Sequence, residues 1–141
     1  MMKPVLAGLC LGLISQPALA DEVWSTLVGD VVYESDTPEG WAVWSYEGDL
    51  GPVKIYLKGL AGVYEGRGAY AGVWIAQDDP EIEMCDVAIS NPDTGASHSN
   101  WGRVDIVFTE PDFPSGWVAL RGDCFNDPTD YLVGKPVVAS E

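Results

Sequence analysis

The first residues to weigh are those able to do chemistry. The chain holds one histidine, His98, in the polar stretch Gly95-Ala96-Ser97-His98-Ser99-Asn100. Next to Ser97 or Ser99 it offers a base beside a nucleophile. Adjacency in sequence does not build the triad geometry, however, and no Gly-x-Ser-x-Gly turn presents a serine. His98 reads as a solvated loop imidazole. The densest acidic cluster is Asp78, Asp79, Glu81, Glu83 and Asp86. Glycoside hydrolysis needs two carboxylates across a sugar-sized cleft, one with a raised pKa. A β domain this small leaves little room for that cleft, so the cluster reads as a solvated edge that discourages strand-to-strand association. The same cluster, or Asp123, Asn126, Asp127 and Asp130, has the oxygen chemistry for calcium. Neither follows the Asp-x-[Asp/Asn]-x-[Asp/Asn]-Gly pattern, and Pro80 and Pro128 interrupt both. No catalytic residue, metal or cofactor is expected.

Three cysteines are present, and Cys10 lies in the segment described below as removed. That leaves Cys85 and Cys124. A metal pair lacks company with a single imidazole in the chain, and no Cys-x-x-Cys spacing suggests redox exchange. In an oxidising compartment the two pair most simply with each other. Alternation places Cys85 on a face with Val87 and Ile89, and Cys124 on a face with Val118 and Leu120. The expected bridge therefore joins two strands internally.

Six Trp and six Tyr are rich for 141 residues. Trp41 and Trp44 are three positions apart in one run, so they face opposite sides and cannot both enter one core. Trp44 shares a face with Tyr46, and Tyr70 with Trp74. An exposed aromatic pair on a β surface would stack on a sugar ring or anchor a protein partner. The opposing reading is that these rings fill a small core. The candidate partner-binding residues are Trp41, Trp44, Tyr46, Asp78, Asp79, Glu81 and Glu83.

The elements that must hold these residues read as strands. Apolar runs at 27–34, 41–46, 53–60, 70–77, 82–89, 101–108, 116–121 and 131–133 alternate with turn segments rich in Pro, Gly, Asp and Asn. The period within them is two: Val53, Ile55 and Leu57 face one way, Lys54, Tyr56 and Lys58 the other. Val104, Ile106 and Phe108 alternate likewise with Arg103, Asp105 and Val107. The Gly-rich run 61–69 is a turn between strands, not a phosphate cradle. The expectation is an all-β fold: a single small antiparallel sandwich or barrel of about eight short strands. Local pattern leaves the choice between the two open.

Residues 1–20, MMKPVLAGLCLGLISQPALA, carry one Lys, a short apolar run and a small-x-small end. That is the build of a signal peptide, too short to span a bilayer. Leu9 stands before Cys10 where a lipoprotein signal wants a small residue. The expected layout is 1–20 signal peptide and 21–141 a single β domain, exported to the periplasm or beyond the cell, with no membrane insertion after cleavage. Without Lys3 the remaining six Lys+Arg face 22 Asp+Glu, a formal charge of −16. Such a surface repels phosphate backbones, which excludes nucleic acid, and steers a basic protein towards it. The functional expectation is a non-enzymatic binding or inhibitor module for a basic protein partner. A small carbohydrate-binding or carbohydrate-active protein, with a glycan as partner, and a structural component of a cell-envelope assembly are the alternatives.

Overall fold

The structure, a computed structural model, describes residues 22–79, 82 and 84–138. Ten strands are present among them: β1 (Val23–Thr26), β2 (Gly29–Asp36), β3 (Trp41–Gly48), β4 (Gly51–Lys58), β5 (Ala69–Ala76), β6 (Ile89–Ser90), β7 (Ser97–His98), β8 (Trp101–Phe108), β9 (Trp117–Arg121) and β10 (Asp130–Pro136). There is no helix among the described residues. Eight strands close into an antiparallel barrel in the order β1-β10-β9-β8-β5-β4-β3-β2, while β6 and β7 form a separate two-stranded ribbon. This is the all-β fold expected, and closure resolves barrel against sandwich. The seam is β1 against β10, with Trp24 opposite Pro136 and Ser25 opposite Lys135. Closure leaves the barrel no unpaired edge strand.

Alternation decides which side chains enter the barrel. Val53, Ile55 and Leu57 of β4, and Val104, Ile106 and Phe108 of β8, are all buried in one interior cluster. Trp24, Trp44, Trp74 and Trp117 join them there. The widest rings are matched to the smallest cross-strand neighbours: Trp74 lies opposite Gly102 and Trp117 opposite Gly134. A Cβ on Gly134 would stand 2.3 Å from Trp117 Cε2. A side chain there would displace the ring.

Three expectations change. The run 82–89 is not a barrel strand: β5 pairs directly with β8, so the chain between them leaves the sheet and only Ile89–Ser90 regains pairing, with Ser97–His98. Its excursion covers the outer wall, where Val43, Tyr56, Ile75 and Trp101 form a second buried cluster against Trp41, Val73, Cys85 and Ile89. The four-residue β1 is a barrel strand that none of the apolar runs contains. The disulfide between Cys85 and Cys124 is present, with Cα atoms 5.5 Å apart, but it does not join two core-facing strands. Cys85 sits in the excursion and Cys124 in the β9–β10 connection, where its φ is +54°. Val118 and Leu120 point outward, being 37% and 41% exposed. The pairing is the expected one, but neither cysteine lies on a core-facing strand. A disulfide accords with an oxidising, exported compartment, and among the described residues no helix is long and apolar enough to cross a membrane. The segment 1–20 lies outside the described residues.

One end of the barrel is sealed. Arg67, from the Gly-rich connection between β4 and β5, is buried and reaches Glu22 through both terminal nitrogens, each 2.9 Å from a carboxylate oxygen. Its Nε donates to Val63 O at 2.8 Å, and its guanidinium lies between the rings of Tyr64 and Phe108. Trp24 Nε1 donates to Ser115 O at 2.7 Å across the same end. The Arg67 charge is met by Glu22, and its further donors by Val63 O and Ser115 Oγ, within the plug.

Candidate functional site at the open end of the barrel

The other end is a cup. The β1–β2, β3–β4 and β9–β10 connections and the excursion after β5 surround a depression of about 1010 Å³. Below it, inside the barrel, lies a cavity of about 220 Å³ lined mainly by apolar side chains, among them Trp44, Ile55, Trp74, Ile106, Trp117 and Leu132. Val28, Tyr46, Trp74 and Arg121 line both, so the cavity lies directly under the mouth.

Arg121 governs the neck between them. It is the last residue of β9 and faces inward like Trp117 and Ala119 before it. Its guanidinium lies 4.2 Å from the Trp74 ring centroid, and Nη1 donates to Tyr46 Oη at 2.5 Å. Burial pushes the Tyr46 phenol above its usual pKa, and the adjacent guanidinium pulls partly the other way. The cross-strand partner of Arg121 is Asp130, which also lines the cavity, yet the two make no ion pair. The guanidinium instead sits against the Trp74 ring and the Tyr46 hydroxyl.

Among the described residues, two buried side-chain donors have no acceptor. Trp24, Trp74 and Trp101 each donate Nε1–H to a backbone carbonyl. Trp44 and Trp117, the two cavity-lining indoles below Trp74, have Nε1 atoms without a hydrogen-bond partner. Buried polar groups are seldom left so.

The rim is apolar at its tips and acidic between them. Leu27, Leu50 and Phe125 are 100%, 74% and 63% exposed, and Val28 and Val87 are also exposed. Glu47, Asp49, Asp86 and Asp123 line the same depression, against Arg121 as its lone cation among the described residues.

The expected site residues are dispersed. Trp44 and Tyr46 lie in the barrel interior, 0% and 8% exposed, so neither presents a ring on the outer surface. Trp41 is half-buried beneath the excursion. Asp78 is exposed, and its carboxylate accepts from the backbone N–H of Ser99 and Asn100, tying the two ends of the excursion together. Asp79 is half-buried in the same loop. Glu81 and Glu83 lie outside the described residues. His98 is half-buried in β7, 3.4 Å from Asn91 Nδ2. Among the described residues no group of three or more His, Cys, Asp or Glu is placed to hold a metal ion. Sequence reasoning missed Arg121. Its signal was the rarity of cations, since one of six in the acidic domain stands at the end of the inward series Trp117, Ala119, Arg121.

No known family, curated protein or solved structure matches this chain.

Proposed function

We propose that the chain is an exported, non-catalytic binding module of the periplasm that docks a basic protein on the open end of its barrel. One observation supports this most directly. Large apolar side chains on four separate connections are held out at the same end, with four carboxylates among them. Large apolar side chains gathered at one end of a folded domain are exposed at a cost that a contact surface would recover. Leu50 and Phe125 would supply the desolvated contacts, while Glu47, Asp49, Asp86 and Asp123 would steer a cationic surface towards them. A wall of closed β-sheet behind the loops holds them in fixed relation, which limits the entropy lost on docking.

The test is a binding-kinetics panel of purified secreted proteins of high and low isoelectric point. Raising salt from about 20 to about 500 mM shortens the Debye length from roughly 20 to roughly 4 Å. Association with a basic partner should slow by more than about tenfold across that range. Phe125→Ser should instead shorten the lifetime of the complex, because contact residues act mainly on dissociation. Binding confined to acidic or neutral proteins, or indifferent to salt, would overturn the reading.

A further inference from the structure

We propose that the outer wall formed by β8, β9 and β10 is a self-association surface, on which a second copy of this chain docks face to face about a two-fold axis. This goes beyond the docking of a basic protein on the rim and does not depend on it.

The wall is apolar where it faces water. Alternation turns Val107 of β8, Val118 and Leu120 of β9, and Tyr131 and Val133 of β10 outward, and all five are exposed. Register makes them one patch. Val118 stands opposite Val107 on one side and Val133 on the other, so three valines cross the sheet in a row. Leu120 lies opposite Tyr131 in the next row. Directly opposite side chains in antiparallel strands are about 5 Å apart, so the patch is continuous over three strands. The excursion after β5 does not cover it, since that segment packs over Val43, Tyr56, Ile75 and Trp101.

Charge selects the occupant. The same three strands turn Arg103, Asp105 and Lys135 outward, two cations against one carboxylate, in a chain where carboxylates outnumber cations 22 to 7. Such a wall does not attract a basic partner, which the carboxylates of the mouth draw instead. It is complementary to itself. Asp105 lies opposite Leu120, two residues from the valine row in one direction, and Lys135 lies two residues beyond Val133 in the other. The two charges therefore sit on a diagonal centred on Val118, each roughly 8 Å from it. About 17 Å apart, they cannot pair within one chain. A two-fold axis lying in the wall through Val118, at right angles to that diagonal, sets each copy's Lys135 on the other's Asp105 and Val118 against Val118. Isologous contacts of this kind are the commonest way that identical chains associate. Closure leaves no strand edge for two copies to share, so a face is the available route. The wall is convex, which confines contact to three strands and puts the interface at the small end of the range. The dimer is therefore weak and reversible, and both mouths stay free.

Sedimentation velocity of the exported, disulfide-bonded protein, from about 5 to about 500 μM in about 150 mM salt, should show a monomer–dimer equilibrium with a Kd on the order of 100 μM. Raising salt from about 20 to about 500 mM should tighten the dimer at least about threefold, because screening removes the repulsion between two strongly acidic bodies. Docking of a basic protein at the rim has the opposite salt dependence. Val118→Glu places two carboxylates on the axis and should leave only monomer. Asp105→Lys and Lys135→Asp should each weaken the dimer about fivefold or more, and the double exchange should restore it. Asp105→Lys lowers the net negative charge, so its weakening separates a specific contact from general repulsion. All three positions are exposed, and each variant should keep the circular dichroism of the parent. Monomer at every concentration, a dimer indifferent to Val118→Glu, or a double exchange that fails to restore association would each overturn the proposal. So would a monomeric parent whose binding to a basic protein is lost in Val118→Glu, because the wall would then belong to that partner. The salt response of the parent's partner panel reads the rim alone, so either reading can fail without the other.

Discussion

The sealed end gives the sharpest stability test. Glu22→Gln keeps the shape of the side chain and removes its charge, leaving the Arg67 guanidinium buried without a counter-ion. Both side chains are essentially inaccessible, 0% and 4% exposed, so solvent cannot rescue the charge. Breaking a buried pair from one side costs about 3–5 kcal/mol. A domain of this length has a total stability of roughly 6–18 kcal/mol, so the loss should lower Tm by about 10–25 °C. Arg67→Met alone should cost a similar amount, since it strands the Glu22 carboxylate and frees Val63 O. The pair Glu22→Gln with Arg67→Met removes both charges and should cost less than the two single changes combined. Urea unfolding of the four proteins gives the coupling energy directly. Singles costing under about 1 kcal/mol, or strict additivity, would refute the reading that a desolvated ion pair closes this end.

Two further outcomes are expected. The Cys85→Ala with Cys124→Ala protein should lose about 2–4 kcal/mol, the chain-entropy limit for a loop of this size being about 4. It should keep its far-ultraviolet spectrum, because both residues lie outside the barrel strands, while Trp101 emission shifts red as the excursion loosens; an unfolded spectrum would contradict this placement. Tyr33, Tyr46, Tyr56 and Tyr64 all have pKa values above 10.0, chiefly because burial disfavours the phenolate. The unfolded chain then releases these protons first as pH rises, so stability holds below about pH 10 and falls above it. Tyrosine absorbance should show a late-titrating class that merges with the early one on unfolding; a single class near pH 10 would contradict it.

The strands were legible wherever one face is buried and the next is wet. Val53 to Lys58 and Val104 to Phe108 show their period without ambiguity, because the barrel interior takes every second residue. Alternation also separated Trp41 from Trp44, but it carries no label for inside and outside. The excursion then blurred that distinction by burying Tyr56 and Trp101 on the outer wall. Run 82–89 looked like a strand on composition alone, yet β5 already has β8 as its neighbour and no edge was left to pair with. Closure itself rests on β1 meeting β10, a contact between the two ends of the domain that no local window contains. The disulfide followed from counting and compartment, which is why it survived a wrong assignment of faces. Of the site, Trp44, Tyr46, Trp74, Asp86, Asp123 and Asp130 all carry a signal in the sequence, the rings as surface pairs and the carboxylates as an acidic edge or calcium ligands, but the structure sets Trp44 and Tyr46 in the barrel interior. Arg121 was hidden because its function lies in what it is drawn towards, Trp74 and Tyr46, and both are far away in sequence.

The seam between β1 and β10 sets the direction in which this barrel can be carried. Val137 N donates to Val23 O at 2.9 Å, so the chain enters and leaves the sheet side by side. Both crossings are at the sealed end, next to Glu22 and Arg67. Anything fused or tethered at either terminus would therefore hold the barrel by its base and present the mouth outward, like a cup on a stem. The same neighbourhood makes the domain a candidate for circular permutation. A short linker from 138 to 22 would bridge adjacent strands, and new termini could be cut at Gly95 in the exposed turn of the excursion without interrupting a barrel strand.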